Sequence, residues 1–264
     1  MLEILILAVI GTALAGLWDL KTTEVPDQLP YALVIIGIGY WMLQGLLLGN
    51  WYPLYVSLAV GTLLLAGGLI LYKKGQWGGA DAWILAAVGY MIPVYDGVVF
   101  IIPYLLNFVL VSIVYTVVYA LAMGLRSPSV FRHVAADLKK NAKIILATVG
   151  GLVVFVVALS TQLPPAITLL YRLVPLIFAL LIFWRYAVVI EKRLFRRRVP
   201  TSRLRVGDVI DKGNWIGLTR GQIKALRKQK RFVTIKDGMR FVPVFAIALV
   251  LTLLYGNVFL MVLG

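Results

Sequence analysis

The 264-residue sequence has no cysteine and a single histidine, His133. The first absence excludes a disulfide framework, a thiol nucleophile and a thiolate metal site, and the second excludes a histidine-rich metal centre. Charge is also scarce: 14% of residues are charged, with 11 acidic residues against 26 basic ones, so each carboxylate can be weighed singly. What fills the chain is apolar, 61% hydrophobic with a mean hydropathy of +0.94, far beyond the range of soluble globular domains. These values imply a polytopic membrane protein.

The stretch MLEILILAVIGTALAGLWD has no basic segment ahead of its apolar run and no cleavage site, and is expected to be the first span rather than a removed signal. Candidate spans are Met1 to Trp18, Pro30 to Gly49, Pro53 to Tyr72, Asp81 to Val94, Val98 to Gly124, Ile144 to Gln162, Ala166 to Ile190 and Phe241 to Leu263. The fold class expected is therefore all-α, with about eight transmembrane helices at about 20 apolar residues per crossing. Lys73 and Lys74 lie in one connection; Arg126, Arg132, Lys139, Lys140 and Lys143 lie in another; most remaining Arg and Lys fall between Lys192 and Arg240. The alternate connections GNWYP, VYDG and STQLPPA carry no Arg or Lys, which places the basic ones in the cytoplasm and both termini outside.

Residues 192–240 read as a small cytoplasmic α/β insertion between a transmembrane domain, 1–191, and a final helix, 241–264. RLRVGDVI and FVTI alternate as strands do, KDG before MRFV signals a hairpin, and TRGQIKALRK opens with a Thr-x-x-Gln capping box. Its aromatic residues are not interleaved as a stacking platform, so the expected partner of its charge is anionic lipid headgroups and not nucleic acid.

Seven carboxylates need no catalytic explanation: Glu3 and Asp96 fall at the outer face, and Asp137, Glu191, Asp208, Asp211 and Asp237 lie among bases. The other four, Asp19, Glu24, Asp27 and Asp81, sit at the inner ends of early spans. In GGA-Asp-AWILAAVG, Asp81 opens a helix and suits the positive end of its dipole, so a plain N-terminal cap is one reading. Asp19 closes a helix and faces the negative end of that dipole. Two carboxyl groups in unlike settings at one membrane depth can divide the roles of acid and base, with no metal or other cofactor. Gly78 and Gly79 would let a peptide strand approach Asp81 closely, or would simply form a turn.

Asp19, the following LKTTEVPDQLP with its Val25-Pro26-Asp27 turn, and Gly78-Gly79-Ala80-Asp81 together resemble the membrane aspartyl proteases with a Gly-x-Gly-Asp motif. The closest resemblance, over about residues 10–95, is to the type IV prepilin peptidases and their archaeal preflagellin branch. That resemblance implies a catalytic pair, Asp19 and Asp81. It further implies removal of short basic leaders from pilin-like or archaellin precursors at the cytoplasmic face of the cell membrane. Glu24 and Asp27 are the candidates to receive the leader's basic residue, or else merely solvate a polar turn. Ala80 stands where the motif has its second glycine, and the four-cysteine segment of bifunctional members is missing. The presenilin and signal peptide peptidase group is the alternative, with Trp18-Asp19 and Pro243-Val244-Phe245 standing where that group has Tyr-Asp and Pro-Ala-Leu. A proton-coupled transporter is a further one, since carboxylates at span ends also relay protons.

Overall fold

In the computed structural model, which describes residues 1–160, 168–211 and 217–263, the chain is a polytopic all-α membrane protein with a small sheet. The helices are α1 (Leu2–Thr22), α2 (Gln28–Leu48), α3 (Tyr52–Lys73), α4 (Gly79–Met91), α5 (Ile101–Leu125), α6 (Ser129–Ser160), α7 (Thr168–Leu194), α8 (Arg220–Gln229), α9 (Pro243–Tyr255) and α10 (Val258–Leu263). Among the described residues five helices, α1, α2, α3, α5 and α6, are long and apolar enough to cross a bilayer. Contacts divide the chain into one unit of Met1–Thr116 with Arg198–Gly264, and a second of Val117–Arg197.

In the first unit the packing rests on small residues. The buried positions of α1, Ile4, Ala8, Gly11, Thr12, Ala15, Gly16 and Asp19, recur every three or four residues, while Ile6, Leu7, Ile10, Leu14 and Leu17 are exposed to lipid. Asp19 therefore continues the interior stripe of α1. Gly68 of α3 approaches α4 so closely that a Cβ there would lie 2.8 Å from the Ala82 Cα, and one at Gly89 would lie 3.2 Å from the Gly61 Cα. With no hydrophobic drive between helices in lipid, such close backbone approach supplies the dispersion contacts that hold them.

Helix α4 is buried along nearly its whole length but has only 13 residues, about 20 Å, short of the bilayer core. Its last carbonyls are met by neighbours: Ser57 Oγ donates to Tyr90 O at 2.7 Å and Trp41 Nε1 donates to Met91 O at 3.1 Å. Backbone groups stranded within a membrane need such partners. The connection VYDG that follows is a hairpin, β1 (Val94–Tyr95) against β2 (Val98–Val99), with Asp96 and Gly97 both at positive φ as a tight Asp-Gly turn requires. The expected last span is also interrupted: α9 ends at Tyr255, and Gly256, at φ 67, turns the chain before α10. Asn107 Nδ2 donates to Gly256 O at 2.6 Å and to Thr252 Oγ1 at 3.0 Å across this break.

In the insertion, β3 (Arg196–Pro200), β4 (Val209–Ile210) and β5 (Phe232–Lys236) form a sheet of order β3-β5-β4. FVTI is a strand as expected, and the capping box holds, with Gln222 Oε1 accepting from Thr219 N at 2.9 Å. The KDG hairpin does not form. Lys236 and Ile235 pair with Val209 and Ile210 instead, and MRFV leads into α9 without forming a strand, two of its backbone groups being engaged elsewhere, as described below. Of RLRVGDVI only Val209–Ile210 is strand, and β3 was not anticipated.

The second unit corrects the connection expected over 125–143. After a short turn it is the first half of α6, because Val130, Val134 and Leu138 recur every four residues and pack on Tyr186, Val189 and Ile190. Asp137 accepts both Nε and Nη2 of Arg185 at 2.7 Å, the planar two-bond geometry that suits guanidinium and carboxylate. The connection STQLPPA lies, after Ser160, outside the described residues, as do residues 212–216.

Candidate active site

Asp81 is the third residue of α4, and its Oδ2 accepts the N–H of Gly78 at 2.9 Å, the carboxylate half of a capping box. The cap geometry is thus present. It occupies one oxygen and aims the carboxyl group back over the start of the helix, where the dipole favours negative charge. Asp81 is 8% exposed.

Asp19 lies in the last turn of α1, 6% exposed, with the helix running on to Thr22 and closed by Thr23 at φ 63, whose N–H reaches Asp19 O at 2.8 Å. Its side chain does not face only the negative end of its own helix. Oδ2 accepts the N–H of Val242 at 3.1 Å, and Val242 is the residue that opens α9. Asp19 therefore sits at the positive end of a second helix, 223 residues further along the chain. The expectation of opposed dipole settings is corrected here: both carboxylates lie at helix N-termini, one at its own helix and one at a distant one.

Helices α1 and α4 pack together, and the charge of Asp19 reaches Asp81, while that of Arg240 reaches Asp19. Among the described residues each carboxylate has one hydrogen-bonded oxygen, leaving the other for water or a peptide.

The segment before α9 is fixed at three points. Tyr115 Oη donates to Arg240 O at 2.6 Å, Asp19 holds Val242 N–H, and Gly16 of α1 admits Pro243 so closely that a Cβ there would be 3.0 Å from the Pro243 Cα. The first two engage backbone groups of MRFV, which forms no strand. The Val242 amide, Tyr115 and the aromatic residues near the site, Trp77 and Phe241, were not singled out from the sequence. A backbone amide carries no sequence signal, and the rings are indistinguishable in the chain from lipid-facing aromatics.

Gly78 is extended, at φ −74 and ψ 158, and neither it nor Gly79 takes a positive φ. Their conformational freedom is not what the loop uses. A Cβ at Gly78 would stand 3.1 Å from Asp81 Oδ2, whereas one at Gly79 would meet Tyr72 at an ordinary 3.7 Å. Ala80 is inside α4, where alanine is the best helix former, so its replacement of a motif glycine leaves this loop undisturbed. The positive φ of the turn belongs to Gly75, at 70°. Glu24 and Asp27 are both exposed, on the turn between α1 and α2; Glu24 Oε1 would lie 3.3 Å from a Cβ at Gly207 of the insertion.

Residues 6–121 match the family model described as the Type IV leader peptidase family. Through that stretch the chain is similar to this family. The matched span carries Asp19, Glu24, Asp27, Gly78, Gly79 and Asp81, while the Val242 amide that holds Asp19 lies beyond it. No curated protein and no solved structure matches the chain.

Proposed function

We propose that the protein is a leader peptidase, an aspartyl endopeptidase that removes short basic leaders from prepilin or archaellin-type precursors at the cytoplasmic membrane face. The observation that carries the reading is the pair of buried carboxylates, Asp19 and Asp81, on two helices that pack together, each anchored through one oxygen to an amide at a helix start. In such a pair the ionised member takes a proton from water as the water oxygen attacks the scissile carbonyl. The protonated member gives its proton to the carbonyl oxygen, and the tetrahedral species collapses with a proton delivered to the departing amine. Water's two hydrogens and oxygen are then shared between the new acid and amine, and neither a metal nor a covalent intermediate is needed.

Depth supports cleavage next to the membrane surface. Asp19 lies one turn from the end of α1 and Asp81 at the start of α4, so the apolar helix that follows a leader would remain in lipid while the leader lies outside it. Exposed Glu24 and Asp27 would receive the leader's basic residue, and the basic insertion would rest against anionic headgroups. The test is incubation of the purified enzyme in detergent or lipid with a precursor carrying Lys before the cut, with mass analysis of the products. A single new amino terminus at the leader boundary is expected, and intact precursor, or cuts scattered within the apolar helix, counts against the reading.

A further inference from the structure

Trp77, Phe108, Phe241 and Phe245 form a cluster in which every pair of rings is in contact. The centroid separations are 6.1, 6.5 and 6.0 Å from Trp77 to Phe108, Phe241 and Phe245, 5.9 and 4.9 Å from Phe108 to Phe241 and Phe245, and 6.0 Å between the last two. These lie within the range of favourable edge and tilted aromatic contacts. Two of the rings hold a special place in the chain. Trp77 immediately precedes Gly78, whose N–H binds Asp81, and Phe241 immediately precedes Val242, whose N–H binds Asp19. Each carboxylate thus hangs from an amide whose neighbour on the N-terminal side is anchored in the same cluster.

We infer that Trp77 and Phe241 are positioning residues, whose packing fixes the distance between the Gly78 and Val242 amides and through them the distance between the Asp19 and Asp81 carboxyl groups. This rests on the reading of those aspartates as the catalytic pair. Neither ring touches the reacting atoms. Phe108 and Phe245, in α5 and α9, form the fixed base on which the two loop rings meet, and the Tyr115 hydroxyl on Arg240 O holds the same segment from its other side. Placement of two acids about one peptide bond is demanding, and a displacement of about 1 Å can cost about a hundredfold in rate.

The experiment measures kcat and KM for a Lys-containing precursor in the parent, Trp77→Leu, Phe241→Leu, the double variant, Trp77→Phe and Phe245→Leu, with thermal unfolding of each. The two Leu variants at positions 77 and 241 are expected to lose about ten-fold or more in kcat with KM within about two-fold. The double variant should lose clearly less than the product of the two single losses, since the Trp77–Phe241 contact is removed by either change. Trp77→Phe should lose only a few-fold. Phe245→Leu, which loses comparable packing but precedes no anchoring amide, should keep a higher kcat than Phe241→Leu at equal or greater loss of thermal stability. Rates that simply follow thermal stability across the series, or losses that multiply in the double variant, overturn the inference. Should the Leu variants not fold, Trp77→Phe decides: an unchanged kcat overturns it. Asp19→Asn and Asp81→Asn measured alongside separate the two readings, because activity in those variants removes the catalytic pair itself, whereas their inactivity beside a fully active Phe241→Leu removes only the positioning role.

Discussion

Asp19 Oδ2 accepts the backbone N–H of Val242 at 3.1 Å, a bond between the end of the first helix and the start of α9 that closes a loop of 223 residues. The close approach of Gly16 to Pro243 beside it fixes the same junction. One carboxylate thereby serves both as a cap for a distant helix and as half of the proposed pair.

That dual role separates two substitutions. Asp19→Asn keeps an oxygen for Val242 N–H and should fold with little loss of stability while abolishing precursor cleavage. Asp19→Ala strands a buried amide and should in addition lose about 1–3 kcal/mol. Asp81→Asn should be equally inactive, and the double Asn variant scarcely worse than either single one. Product mass analysis with thermal unfolding in detergent checks both halves; substantial cleavage by either Asn variant contradicts the pairing.

Adjacent glycines give a sharp contrast in packing. A Cβ at Gly68 would lie 2.8 Å from the Ala82 Cα, next to Asp81, while at Gly67 nothing lies within 4 Å. Gly68→Ala should force α3 from α4 and destabilise by about 1–3 kcal/mol, with reduced cleavage. Gly67→Ala should leave both unchanged or slightly raise stability, since Gly in a helix costs about 0.5–1 kcal/mol relative to Ala. Equal behaviour of the two variants in unfolding scans would show that the helices do not meet at Gly68.

The motif loop is testable in the same way. Gly79→Ala should be tolerated, Gly78→Ala should lower kcat by pressing on Asp81 Oδ2, and Ala80→Gly should bring no gain in rate because position 80 is helical. A clear rate increase for Ala80→Gly would show that the motif needs glycine there.

Sidedness is checked by single cysteines in this cysteine-free chain. Cysteines at exposed Gln76 and Ser202 should react with an impermeant thiol reagent only in inverted or opened vesicles, and one at Asn50 in intact cells. The reverse pattern moves the proposed cleavage to the other face.

Leader recognition by Glu24 and Asp27 makes a quantitative demand. Neutralising both should raise KM for a Lys-containing precursor by a few-fold, as an exposed pair is worth about 0.2–1 kcal/mol, with kcat little changed. A precursor with a neutral residue there should hardly respond. Equal losses for both precursors would mean that the two acids only shape the turn.

The sequence by itself determined the membrane class and the first three helices, because apolar runs are local properties that survive without knowledge of any contact. The insertion was legible only where a local device acts, in the capping box of α8 and the alternation of Phe232–Lys236. The hairpin expected after it did not form: β5 pairs with β4, and Tyr115 and Asp19 engage backbone groups at 240 and 242. Tertiary structure alone decided that Asp19 meets the start of a distant helix, that α4 stops short with its carbonyls held by Trp41 and Ser57, and that Trp77 and Phe241 share one cluster. Each of these joins residues far apart in the chain through an amide, a carbonyl or a ring face, groups whose partners no spacing in the sequence can specify.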